Sequence, residues 1–237
     1  MNRSMNRKKA LVISGTSTIG TEMIKQMQQK FSSIIVTGRN AEKLVKVQLH
    51  VPQIRTILLD VTQNPIAVLE ANQRLWEDLD FVLICAGDGE VNPSLEPEVE
   101  DRVIAVNVNG CSAILAYFVR LFQQKDAGHI AVITSLAGML PSGDAASYAA
   151  SKAFLSRYIA GIQIQLKKQK SHVILTDIRP GLVNTPMAKG KKLFWVAPVE
   201  KAGKQICRQM YRKKKRIIVT KRWKMLYVLC RLLPLDI

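Results

Sequence analysis

Ser135, Tyr148 and Lys152 are the residues whose types and spacing point most directly to chemistry. Tyr148 and Lys152 stand four apart in SYAASKAFL, a stretch with a helical pattern, so they share one face. A phenol alone is protonated at neutral pH and exchanges protons poorly there. A neighbouring ammonium stabilises the phenolate and brings proton transfer into reach. Ser135 follows the apolar run HIAVIT, where a hydroxyl can hold a substrate oxygen beside the phenol. Two helix-surface residues four apart are common by chance, so the set acquires meaning only from the elements that position it.

Those elements are legible as an alternation. ALVIS (10–14), SIIVT (33–37), IRTILL (54–59), DFVLIC (80–85), HIAVIT (129–134) and VILTDI (173–178) are short apolar runs rich in β-branched residues, and each fits a strand buried on both faces. RIIVT (216–220) reads as a seventh strand. Helical patterns lie between them, at about 20–30, 40–49, 64–77, 98–124, 147–169 and 198–214. This alternation predicts an α/β fold: a doubly wound, Rossmann-type parallel sheet of about seven strands with helices on both faces. Residues 1–220 read as one domain and 221–237 as a basic, amphipathic C-terminal tail.

In such a sheet, the turn after the first strand meets a dinucleotide pyrophosphate at a helix N-terminus. Here the turn is SGTSTIG, residues 14–20. Gly15 and Gly20 allow close backbone approach, Ser17 and Thr18 can donate hydroxyl hydrogen bonds, and Ile19 lies between them. Plain turn chemistry would look similar. The second strand runs into TGRN, which has no carboxylate for a free ribose 2′-hydroxyl but has Arg39 for a 2′-phosphate. The expectation is therefore NADPH in preference to NADH, against Arg39 as a solvated loop residue. Asp60, after the third strand, either accepts from the adenine amine or begins a helix-entry turn.

With these motifs in place the sequence resembles the short-chain dehydrogenases/reductases over about residues 8–220. Ser135, Tyr148 and Lys152 have the family spacing, Asn107 in VNVNG matches its helix asparagine, and DIRPGLVNTPM (177–187) matches its Pro-Gly segment. The resemblance implies Tyr148 as acid–base and as a cofactor neighbour, with Lys152 favouring its ionised form and binding the nicotinamide ribose. It implies Ser135 as the group that orients the carbonyl and Asn107 as the holder of a proton-relay water. Ala86 and Gly87 after the fourth strand, and Pro180, Gly181, Val183 and Thr185 after the sixth, would border the cofactor, and a dimer or tetramer is expected. The chain departs from the family in two places. SGTSTIG is one residue shorter than TGxxxGIG and lacks its middle glycine, and Cys85 replaces an asparagine before Ala86-Gly87.

Charge sets one region apart. The chain carries 35 Lys/Arg against 18 Asp/Glu, yet residues 1–187 have a net charge of only +4 while residues 188–237 carry +13. A local anionic partner is expected there. The four cysteines and three histidines lack metal-ligand spacing, which points to a reduced, cytosol-facing protein without a metal site. MNRSMNRKK is followed by an apolar stretch too short for a signal peptide, and no transmembrane span is expected.

The insert after Gly181 is short and sets Met187, Leu193, Phe194 and Trp195 beside Lys189, Lys191 and Lys192, either as a lid that leaves a cleft open on one side or as a compact loop whose aromatics cap the core. From Trp223 to Leu233 the tail reads as a helix of about 16 Å, too short to span a bilayer. Its wheel gives a wide apolar face with Trp223 and Tyr227 at the margins, and Pro234 stops it. The tail is similar to those of membrane-associated members of the family, which suggests attachment to an anionic membrane surface and an apolar or lipid-linked carbonyl substrate. The alternatives are a tail whose greasy face packs on the core or on a second subunit, as in a soluble reductase of small carbonyls that dimerises through it, and a catalytically weak NADP-binding scaffold. Nucleic acid is a poor fit, because the basic run has no interleaved stacking aromatics.

Overall fold

The computed structural model describes residues 8–51, 54–188 and 193–232, with side chains to Cys230. The lysines at 189, 191 and 192 and the helix stop at Pro234 lie outside the described residues. Seven strands form one parallel sheet in the order β3-β2-β1-β4-β5-β6-β7. They are β1 (Lys9–Ile13), β2 (Ser33–Gly38), β3 (Ile54–Leu58), β4 (Leu79–Ile84), β5 (His129–Ile133), β6 (Ile174–Pro180) and β7 (Arg216–Val219). The order reverses between β1 and β4, and the crevice above the carboxyl ends of these two strands is where doubly wound sheets bind ligands.

Side chains alternate across each strand, so the sheet has two cores. Leu11 and Ile13 of β1 face the first, with α3 (Pro65–Ala71), α5 (Cys111–Gln124) and α6 (Ala146–Lys168) around it and α4 (Pro97–Ile104) packed on α6. Ala10 and Val12 face the second, under α1 (Thr18–Met27), α2 (Ala41–His50) and α7 (Val199–Met210). Pro97–Gln124 is long and apolar enough to cross a membrane by composition, but Ile114, Leu115, Phe118 and Phe122 are fully buried against the sheet. It is a core helix.

Two predicted helices are interrupted. The stretch predicted at 64–77 leaves the α-helix at Ala71 and ends in a 3-10 turn, Gln73–Trp76, that drives Trp76 into the core. The stretch predicted at 98–124 contains a π-helical segment, Ala105–Gly110, between α4 and α5. Gly110 is pressed so closely on Val61 that a Cβ there would stand 2.4 Å from the Val61 carbonyl oxygen.

The tail forms α8 (Lys221–Leu232), which packs back along β7. Here the structure corrects the helical wheel. Trp223 and Tyr227 are turned inward and are buried with Ile218, beside Leu136, Met139, Leu182 and Leu226. The Tyr227 hydroxyl accepts from Arg216 Nη1 at 2.7 Å, and the guanidiniums of Arg179 and Arg216 each lie 5.9 Å from its ring centre. Arg179 in turn pairs with buried Asp177 at 2.6 Å. The helix is thus docked on the domain edge.

One half-buried group makes stability depend on pH. Burial, then the charge of Lys213, pushes the His129 imidazole down to about 4, while its Nε2 lies 2.8 Å from Thr176 Oγ1. The unfolded imidazole titrates near 6.5, so between these values the unfolded chain holds a proton that the folded chain lacks. Stability is full above about pH 6.5 and falls as the pH drops toward 4, by of order 3 kcal/mol at about 1.4 kcal/mol per pH unit. His129→Gln, which keeps a partner for Thr176, is expected to flatten this acid limb. Urea midpoints at about pH 7 and about pH 5 check it; equal slopes in the two proteins would place the sensitivity elsewhere.

Candidate active site

The residues singled out from the sequence lie at the carboxyl ends of the strands. After β1, Ser14 takes a left-handed conformation (φ 54°) and Gly15 donates to the Thr37 carbonyl at 2.9 Å. A Cβ on Gly15 would sit 2.7 Å from Val36 Cγ1, and one on Gly20 would sit 2.8 Å from Gly15 itself. Both glycines are required by close packing at the start of α1. Ser17 caps that helix, its Oγ accepting from Gly20 N–H at 3.1 Å. Thr18 is exposed, Ile19 is half-buried, and the N–H groups of both open the first turn, where no preceding helical carbonyl reaches them. The short loop therefore still presents a helix N-terminus suited to an anion.

Arg39 is exposed just beyond β2, and Thr16 lies against Gly38 beside it. A cleft of about 290 Å³ between α1 and α2 opens by Thr16 and is lined by Lys25, Lys43, Lys46 and His50. Sequence reading passed over these lysines, although α1 opens within the glycine turn and α2 begins just after Arg39. Asp60 accepts through Oδ1 from the Thr62 N–H at 2.9 Å and the Thr62 hydroxyl at 2.7 Å, the geometry of a turn. Partial burial raises its carboxyl, but the Thr62 hydrogen bonds and the charge of Arg39 outweigh this and hold it below the usual range.

The second group gathers around α6. Lys152 is almost fully buried, with its Nζ 5.6 Å from the ring centre of Tyr148. A Cβ on Gly87 would stand 3.0 Å from that Nζ, so the β4 end lies directly against the ammonium. Ser135 caps a 3-10 turn, Leu136–Met139, its Oγ accepting from Ala137 N–H at 3.1 Å. Gly138 in that turn seats on α6, where a Cβ would meet Ala153 N at 2.5 Å. This contact brings the end of β5 to the helical turn carrying Lys152. Gly138 escaped sequence reading, because the α6 backbone it meets is distant in sequence.

Asn107 lies in the π-helical segment and is fully buried. Its Oδ1 accepts from Asp88 N–H at 2.8 Å, while Nδ2 donates to the Asp88 carbonyl at 2.7 Å and to Ser151 Oγ at 2.9 Å. The amide thus ties the loop after β4 to α6. Arg102 holds the same loop through Asp88, at 2.9 Å, and through Glu90. Gly89 in this loop abuts the phenol ring: a Cβ there would be 2.9 Å from both Tyr148 Cε2 and Met187 Sδ. Ala86 is buried beside Cys111, whose thiol lies 3.6 Å from its carbonyl. Burial pushes the Cys85 thiol well up and the Cys111 thiol to about 11, so neither is a nucleophile.

After β6, Pro180 ends the strand and Gly181 donates to the Val219 carbonyl at 2.7 Å. Val183 bridges to Ala197, which closes the base of the insert after Gly181, and the Thr185 carbonyl accepts from Ala188. Gly181 has an unforeseen neighbour. A Cβ on it would lie 2.3 Å from the Trp223 ring, so α8 rests directly on the Pro-Gly segment.

Sheet order and a glycine-lined helix start at the switch point place the chain among dinucleotide-binding α/β proteins. Residues 8–193 match the family profile described as short chain dehydrogenase, and the chain belongs to the short-chain dehydrogenase/reductase family of NAD(P)-dependent oxidoreductases. An uncharacterized oxidoreductase of Staphylococcus epidermidis is 30% identical over 192 residues, 78% of this chain and 82% of that one. A very-long-chain 3-oxoacyl-CoA reductase of Coccidioides immitis is 28% identical over 207 residues, 81% of this chain and 58% of that one. In fold, the chain is similar to a Burkholderia cenocepacia short chain dehydrogenase in complex with NADP (TM-score 0.81, 18% identity, 94% and 92% of the two chains). It is also similar to a Sphingobium yanoikuyae short-chain dehydrogenase in complex with NADPH (TM-score 0.79, 19% identity, 97% and 96%).

Proposed function

We propose that the protein is an NADPH-dependent oxidoreductase interconverting a ketone or aldehyde and its alcohol, with Tyr148 as the acid–base group. The observation that carries this reading is the convergence of Tyr148, Lys152 and the Ser135 turn on α6, beside the glycine-lined crevice. Gly15, Ser17, Thr18, Ile19 and Gly20 would hold the pyrophosphate, and Arg39 the 2′-phosphate, with Asp60, Ala86 and Gly87 along the way. Lys152, Pro180, Gly181, Val183 and Thr185 would border the nicotinamide end. The bound cofactor supplies or accepts the hydride.

In the reducing direction Tyr148 gives its hydroxyl proton to the carbonyl oxygen, and in the reverse direction it takes one. The Lys152 ammonium favours the phenolate left behind. Ser135 turns the oxygen toward the phenol. Asn107 has both Nδ2 protons committed, so a relay water would use the second lone pair of Oδ1 or a main-chain carbonyl.

The substrate we favour is apolar or lipid-linked, met at the cytosolic face of a membrane to which the tail attaches. The exposed apolar lid supports it, as does the long-acyl substrate in the name of the Coccidioides relative. Homo-oligomerisation is supported by Ile104, Phe154 and Ile164, which are exposed on α4 and α6.

Arg39→Ala tests the cofactor assignment. It is expected to raise KM for NADPH by about 10- to 100-fold, the worth of a charge-assisted hydrogen bond, and to leave KM for NADH nearly unchanged. Equal effects on the two cofactors, in steady-state kinetics with a water-soluble ketone, would remove the phosphate role.

A further inference from the structure

Helix α8 has two apolar faces, and only one is used by the fold. Trp223 and Tyr227 are buried against the domain, whereas Met225, Val228 and Leu229 are 57%, 45% and 48% exposed. At 100° per residue these three span an arc of about 100°. Arg222 and Lys224, both exposed, bound the stripe on either side, and exposed Lys221 precedes it.

A second apolar surface lies on the arm of the insert that runs into Ala197, where Leu193, Phe194, Trp195 and Val196 form an uncharged run, each at least 37% exposed. The Trp223 indole joins the two. Its ring centre is 5.3 Å from that of Phe194 and 5.8 Å from that of Trp195, and its Nε1 donates to the Trp195 carbonyl at 3.2 Å. Seven exposed apolar side chains thus sit on two segments locked together through one buried ring, more than scattered surface residues account for.

The charges choose the occupant. A second copy meeting this face about a two-fold axis would bring Arg222, Lys224 and Lys221 against their own like charges. A polyanion such as nucleic acid would satisfy the cations and leave the apolar stripe wet. Anionic head groups over hydrocarbon complement both, and the aromatic Leu193–Val196 arm suits that boundary. We infer that the outer face of α8 and the Leu193–Val196 arm form one docking surface for an anionic lipid bilayer, with Trp223 held inside the protein as the tie between them. The inference rests on the membrane location proposed above and adds which residues enter the lipid. It also sets the mouth of the cleft at the surface, since Met187, exposed at the base of the lid, adjoins Gly89 and Tyr148.

The test uses the full chain and vesicles of phosphatidylcholine with phosphatidylglycerol. The wild type is expected to co-sediment, and Met225→Asp with Leu229→Asp to weaken binding at least about tenfold. Each of Lys221, Arg222 and Lys224, changed to Gln, should cost about fivefold. Bromine-labelled lipid should quench Trp195 alone, because Trp76 and Trp223 are buried. The quenching should therefore vanish in Trp195→Phe. Unweakened binding by the Asp variant, quenching that persists in Trp195→Phe, or a lipid-free dimer dissolved by the Asp substitutions would each overturn the surface. Turnover of a water-soluble ketone, unchanged in the Asp variant, shows that it is folded. An inactive wild type that still binds vesicles would count against the enzymatic reading and not against this one.

Discussion

Tyr148→Phe is expected to lower NADPH-dependent turnover by about 10²- to 10⁴-fold, the usual contribution of a positioned acid–base group. The ring itself is held by packing: its Cε2 edge leaves no room for a Cβ on Gly89, which also faces Met187. Phenylalanine keeps that ring and removes only the hydroxyl, so the fold, the unfolding midpoint and the affinity for NADPH should be unchanged. The loss should fall on kcat, as it does when an interaction made in the transition state is removed. Steady-state kinetics with a water-soluble ketone, beside NADPH titration by fluorescence, separates the effects. Turnover within a factor of about three of wild type would remove Tyr148 from the chemistry, since the smallest usual effect is about 10²-fold.

Gly181→Ala is expected to unseat α8. The added methyl would fall 2.3 to 2.4 Å from three ring atoms of Trp223, and that ring cannot retreat freely. It is buried, tied by Nε1 to the Trp195 carbonyl, and flanked by Phe194 and Trp195. Overpacking of this kind costs about 1–3 kcal/mol. Trp223→Ala should cost about 3–5 kcal/mol through the cavity it leaves. Combined, the two should cost clearly less than their sum, because the methyl then enters vacated space. Urea unfolding of the three variants measures the coupling, and strict additivity would mean that Gly181 and Trp223 do not press on each other. Both single variants should also raise KM for the ketone, because Trp223 holds the lid through Trp195.

Much of the fold was written in local pattern. Six of the seven strands are apolar runs buried on both faces, which leaves few other solutions for them, whereas β3, at the sheet edge, leaves Arg55 and Leu58 exposed. The spacing of Tyr148 and Lys152 also survives folding unchanged, because four residues on a helix are one turn wherever that helix is placed. The π-helical segment at Ala105–Gly110 was not legible, since its residues suit an ordinary helix. The contacts of Asn107 with Asp88 and Ser151, and of Gly110 with Val61, accompany the wider turn. For the same reason Gly89 and Gly138 gave no signal. A glycine's need for space is a property of its neighbour, and those neighbours, Tyr148 and Ala153, are distant in sequence.

By itself, then, the sequence determined the parallel α/β sheet, the glycine turn at its first helix, the Tyr-Lys pair and a tail both basic and apolar, because periodicity and short spacings are local quantities. Only the tertiary structure decided which apolar face of that tail is spent on the protein. Trp223 and Tyr227 turn inward because Gly181 leaves an indole-sized gap at the end of β6, and because Arg179 and Arg216 flank the Tyr227 ring. Met225, Val228 and Leu229 are equally apolar in sequence but are left facing out. A helix offers every face at once, and the choice among them belongs to the surface it meets.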